Sequence, residues 1–177
     1  MQIDLVALVP AFMEIIIGEA EVEGGLAQAD ELDRSALDFS LESLAALDRY
    51  LDQVHAASAD MDEQVYTNTA LAAGFYLGEV IRRNGKLGHE WVNYEDLVEA
   101  DPELSKVIPH ALGSAAMLVA EDGGVTMPIN RVIGYIEEGA ESAEGTEHST
   151  RTYADEEVMR EEGDYGDDEE SDDTVAG

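Results

Sequence analysis

The sequence predicts an α+β fold, with helices packed on a small, mostly antiparallel sheet. Three observations carry this. Apolar residues recur at helical spacing through most of the first half of the chain, short apolar and aromatic runs of strand type crowd between His89 and Met127, and one more helical pattern follows. Helices, then strands, then a helix is the order of an α+β domain rather than of repeated strand–helix–strand units. A chain of 177 residues, 45% of them apolar, suits one domain with its own core, since a domain takes roughly 100–200 residues.

The elements follow in order. Residues 8–19 read as a helix with Pro10 in its first turn, where a missing N–H costs nothing. Phe12, Ile15, Ile16 and Glu19 fall at helical spacing. The stretch "VEGGLAQADE" is a loop. "DFSLESLAALDRYLDQVH" is a second helix, with Ser40 as N-cap, Glu42 in the acid-favouring first turn, and Phe39 placed to staple onto Leu44. Leu44, Leu47, Leu51 and Val54 share one face, and Asp48 and Asp52 are expected to turn toward water.

Asp62 to Asn84 reads as a longer helix whose middle, "ALAAGFYLG", is apolar or small nearly all round. A helix of that kind is central and covered on several sides. Gly74 and Gly78 lie four apart on one face, and each costs up to about 1 kcal/mol against alanine, so another element is expected to approach closely there. Gly85 is expected to close the helix in a left-handed conformation.

Strand signals come next. "HEWVNY" is short and aromatic, and "AAMLVAE" and "VTMPI", joined by Asp122-Gly123-Gly124, read as a hairpin with Pro128 marking the second strand as an edge. Between them "EDLVEADPELSKVIPHALG" is a connection with a short helical turn. Asn130 is expected to cap a last helix, with Val132, Ile133 and Ile136 inward and Gly139 as its stop. The expected domain therefore spans 1–139. Residues 140–177 are expected to be a disordered acidic tail, because "EEGDYGDDEESDD" offers too little apolar surface to offset the entropy of ordering.

Charge narrows the partners. There are 41 acids against 9 bases, a formal net charge of −32. Nucleic acid and anionic membrane surfaces are excluded as partners, because holding their phosphates takes lysine and arginine. A basic protein fits, with strong steering at low salt. The acid is not confined to the end: 24 acids and 7 bases precede Glu137. Adaptation to a salty interior, where the Debye length falls to about 3 Å at 1 M salt, and an acidic binding surface are both open readings. The absence of cysteine removes disulfides and thiol chemistry. The apolar opening lacks a basic lead and is interrupted by Asp4 and Glu14, so it is neither a signal peptide nor a bilayer span, and a cytoplasmic location is expected.

Catalytic motifs fail one by one. His55, His89, His110 and His148 are scattered, and "HEWVN" has Asn93 where a zinc-protease motif needs its second histidine, so no metal site is expected. "GEVIRRNGKL" has the wrong spacing for a phosphate loop, with Leu87 in place of the magnesium-binding hydroxyl. No nucleophile elbow is present. No cofactor is expected.

The remaining candidates are Glu79, Arg82, Arg83 and Trp91. Glu79 lies in the apolar half of the central helix, three and four residues before two of the scarce bases. One reading is a structural ion pair or clamp that ties the helix to Trp91. The other is a carboxylate with a tuned pKa in a pocket beside Trp91. Adjacent arginines point about 100° apart on a helix, so one is expected to pair inward and the other to face water or an anionic partner.

This pattern resembles a group of uncharacterised small bacterial domains. The shared features are Ser43-Leu44 with Leu47-Asp48, then Gly74, Tyr76, Gly78, Glu79, Arg82 and Arg83 in a G-x-Y-h-G-E-x-h-R-R helix (h apolar), then Gly88 and Trp91, then Pro128 after a hairpin. His89 and Glu90 separate Trp91 from Gly88, a departure from the Gly-x-Trp spacing. The resemblance spans Asp38 to Gly139. It implies an α+β domain and brings no catalytic residues.

The expected function is therefore a non-enzymatic domain that binds or regulates another protein, of immunity or inhibitor type toward a basic partner. The alternative is a small-molecule-binding protein or enzyme with its pocket near Glu79, Arg82 and Trp91. A homo-oligomer through residues 8–19 is a third expectation.

Overall fold

Six helices and a three-stranded antiparallel sheet form the protein in a computed structural model that describes residues 4–163. The helices are α1 (Val9–Ile16), α2 (Leu44–Ala56), α3 (Glu63–Asn84), α4 (Tyr94–Ala100), α5 (Pro128–Glu138) and α6 (Thr150–Met159); the strands are β1 (Glu90–Asn93), β2 (Ala116–Val119) and β3 (Val125–Thr126). Among these residues no helix is long and apolar enough to cross a membrane.

Helix α3 is the centre. Asp62 caps it, its carboxylate accepting from the N–H groups of Gln64 (2.9 Å) and Val65 (3.4 Å). Every residue from Asn68 to Ile81 is buried. Such burial all round needs neighbours on several sides, and α1, α5 and α6 supply them. The apolar face of α1 lies inside this core, with Phe12 5.7 Å from Phe75. That is the face the sequence offered to a second copy.

The two glycines of α3 mark its closest approaches. A Cβ on Gly74 would come within 2.7 Å of the Ile129 backbone in α5, and one on Gly78 would overlap the Trp91 ring of β1. The bare helix surface thus receives α5 and the sheet together. In the sheet, Trp91 sits opposite Leu118 and Leu118 opposite Thr126, in the order β1-β2-β3.

Several local expectations are corrected. Helix α2 starts at Leu44, after a turn in which Ser40 accepts from the Ser43 N–H at 3.1 Å. With α2 starting at Leu44, Phe39 lies ahead of the staple position. It takes a left-handed backbone (φ 65°), its N–H donates to the Tyr76 hydroxyl (2.9 Å), and its ring lies between Tyr76 and the Arg83 guanidinium. Gly85 is extended (φ −80°), and Asn84 instead ends α3 by donating to the carbonyls of Val80 and Phe39. The left-handed glycine is Gly88, where the chain turns into β1. Pro128 belongs to no strand and opens α5 at its first turn, so Asn130 does not cap that helix. Gly139 closes it with φ 84°.

The largest correction concerns 140–177. Residues 141–163 belong to the folded body, while 164–177 lie outside the described residues. Helix α6 packs on α2 and α3, with Thr150 and Ala154 fully buried. Its start is held by Asp48, which accepts from the Ser149 hydroxyl (2.7 Å) and from the hydroxyl (2.6 Å) and N–H (2.8 Å) of Thr150. A carboxylate there satisfies orphan donors and meets the positive end of the helix. Asp48 therefore does not turn to water, whereas Asp52 is exposed as expected and accepts from the Tyr135 hydroxyl at 2.6 Å. Averaged over the whole segment, the acid density conceals these few anchoring residues.

Candidate functional site

The geometry brings all four candidate residues together. Helical spacing puts Arg82 and Arg83 one turn beyond Glu79, and the approach of β1 to Gly78 delivers Trp91 to the same carboxylate. Oε2 of Glu79 accepts from Arg82 Nε and from Trp91 Nε1, both at 2.8 Å. Oε1 accepts from Arg82 Nη2 at 2.9 Å and from Arg83 Nε at 3.3 Å. Both arginines thus pair with Glu79, where one was expected to face away.

The Glu79 side chain is 5% exposed, and those of the arginines are 42% and 43% exposed. Burial pushes the Glu79 carboxyl upward. The hydrogen bonds from Arg82 and Trp91 and the charges of both arginines outweigh it, so the group titrates below the usual carboxylate range. A carboxylate so placed is an ion, with two donors on each oxygen. Trp91 is fixed as firmly, its ring edge-on to Phe75 at 5.2 Å and flush against bare Gly78. This is the arrangement of a clamp between helix and sheet.

Open depressions lie elsewhere. One is lined by Tyr153, Glu157 and Arg160, another by Arg131, Glu138 and His148, and a third by Val22, Leu26 and Arg34. None of these three is lined by Glu79, Arg82, Arg83 or Trp91.

A second charged cluster escaped the sequence reading. Arg160, assigned there to the tail, donates to Glu157 through Nε (2.9 Å) and Nη2 (2.8 Å) and to Asp122 through Nη1 (2.9 Å). His89 Nε2 lies 2.6 Å from Glu157 Oε2, with no exposure of its ring. For Glu157 burial acts upward and is outweighed by the bonds from His89 and Arg160, which lower its pKa. Asp122 is held far below the carboxylate range by Arg160 and by the N–H groups of Gly163 and Gly124. The cluster fastens the end of α6 to the β2–β3 turn and to the start of β1. The helical signals available in the sequence were Ser149 as an N-cap, the four-residue spacing of Arg151 and Asp155, and the three-residue spacing of Glu157 and Arg160.

Among the described residues no group of three or more His, Asp or Glu side chains is arranged to hold a metal ion. Compared with protein-family models, with curated proteins and with solved structures, the chain gives no match, so the family resemblance rests on the residues quoted for it alone.

Proposed function

We propose that this protein is a non-enzymatic, acidic domain that binds or regulates a basic protein, in the manner of an immunity or inhibitor protein. The observation that supports this best is where the scarce bases are. Arg82 and Arg83 are turned onto Glu79, Arg151 onto Asp155, Lys106 onto Glu103, and Arg160 onto Glu157 and Asp122. With 41 acids against 9 bases, the potential presented outward is strongly negative, and it steers cations. The clamp geometry at Glu79 favours this reading over the pocket alternative.

The test is binding of the immobilised full chain to a set of basic peptides and size-matched neutral ones, in dilute buffer and in about 1 M salt, where the Debye length is about 3 Å. Saturable binding of basic peptides in dilute buffer, lost in molar salt, is expected. No saturable binding at low salt sinks the proposal.

The same charge supports adaptation to high salt, and thermal unfolding tests it separately. The melting temperature is expected to rise from dilute buffer to molar KCl as self-repulsion is screened. An unchanged or lower value rejects the adaptation.

A further inference from the structure

Strands β1 and β2 are antiparallel neighbours, and a two-residue turn suffices to join such a pair. The chain instead runs from Tyr94 to Ala115 between them. That connection is built from helix α4 and two short 3-10 turns, Pro102–Lys106 and Leu112–Ser114. This excursion carries five acids (Glu95, Asp96, Glu99, Asp101 and Glu103) and one base, Lys106.

The excursion is held in shape from within. The Tyr94 hydroxyl donates to the Ile108 carbonyl at 2.6 Å, and the Tyr94 ring stacks on His110 at 4.4 Å. His110 Nε2 lies 3.1 Å from Glu95, and the Ser114 hydroxyl donates to the Pro109 carbonyl at 2.6 Å. These contacts fix the backbone just after Val107, and the Leu104 carbonyl, accepting from the N–H groups of Val107 (3.1 Å) and Ile108 (2.8 Å), fixes the turn before it. Yet Val107 itself is 73% exposed, one of three large apolar side chains left in solvent among the described residues. Beside it is a mainly apolar depression of about 170 Å³, lined by Ile108, Pro109, Ala111 and Met127 among others. A dry cavity of about 150 Å³ holds a benzene ring, so this one has room for a single large apolar side chain.

We propose that Val107 and the depression beside it are a docking surface for a basic segment of another protein that carries an apolar anchor residue. The inference rests on the acidic-binder reading above and gives it a place. The acids of the excursion attract the segment, and the anchor enters the depression. Attraction alone leaves the position of a partner loose; an apolar pocket on the same excursion fixes it.

Two labelled peptides of about fifteen residues test this with the full chain: one rich in lysine and arginine with leucine anchors, the other with each leucine changed to serine. Fluorescence anisotropy at low salt is expected to show the anchored peptide binding about tenfold tighter, the scale of burying one apolar side chain. Val107→Ser is expected to remove most of that advantage and leave the anchor-free peptide unchanged. Met159→Ser, at another exposed apolar position (77%), is expected to change neither. Equal binding of the two peptides, or no effect of Val107→Ser, overturns the docking surface while the acidic-binder reading stands. Failure of both peptides to bind overturns both. A dimer in sedimentation that Val107→Ser dissociates makes a second copy the occupant and also overturns the proposal.

Discussion

Glu79→Ala is expected to lower the free energy of unfolding by about 3 kcal/mol, the lower end of the cost of breaking a buried ion pair by removing one partner. The lower end applies because Arg82 and Arg83 are more than 40% exposed and regain water when the carboxylate is lost. Trp91 is half-buried, and its Nε1–H loses the carboxylate it donates to while the ring stays wedged against Phe75 and Gly78. Glu79→Gln keeps an acceptor for the indole and should cost less. Urea unfolding followed by fluorescence is clean, because Trp91 is the only tryptophan. A loss below about 0.5 kcal/mol means that the pair behaves as an ordinary surface ion pair.

The acid limb supplies a second readout of the same carboxylate. Its pKa is lowered in the folded protein, so its contribution is complete above the ordinary carboxylate range. That contribution is lost as pH falls through the ordinary value toward the folded one. The difference in stability between the native protein and Glu79→Ala is expected to shrink on acidification. A constant difference from neutral pH to below the carboxylate range contradicts the ionised clamp.

Gly78→Ala is expected to destabilise by about 2 kcal/mol, within the usual cost of overpacking a core. Helix propensity alone argues for a gain of about 1 kcal/mol, so the sign itself is diagnostic. The added methyl would occupy the space of the Trp91 six-membered ring and lie 3.3 Å from Pro128 Cγ. The ring is rigid and held by its bond to Glu79, so relief requires moving β1 or breaking that bond. Tryptophan emission is expected to shift along with the loss of stability. A stabilised variant with unchanged emission shows that α3 and β1 are not in contact at Gly78.

The two positions couple through one tryptophan, and half of that coupling was readable in advance. A paired glycine stripe in an apolar helix announces close approach, and Glu79 followed by two arginines announces an ion pair, because helical spacing is a local rule. The identity of the approaching ring was not readable. It depends on the register of β1 against β2 and on the path of the connection, and no residue near Gly78 encodes either.

Local patterning thus determined the helix α3, the apolar face of α2 from Leu44 to Val54, the β2–β3 hairpin, and the mutual reach of Glu79, Arg82 and Arg83. All follow from periodicities of 3.6 and 2 and from turn chemistry, which act over a few residues. Only the tertiary structure decided what meets across the chain. Asp48 caps a helix about 100 residues away, and His89 and Arg160 share Glu157. Among the described residues the apparent acidic tail is therefore part of the folded body, with α6 packed on α2 and α3. A carboxylate has the same composition whether it faces water or an orphan N–H, and its role is set by the donors that folding places beside it.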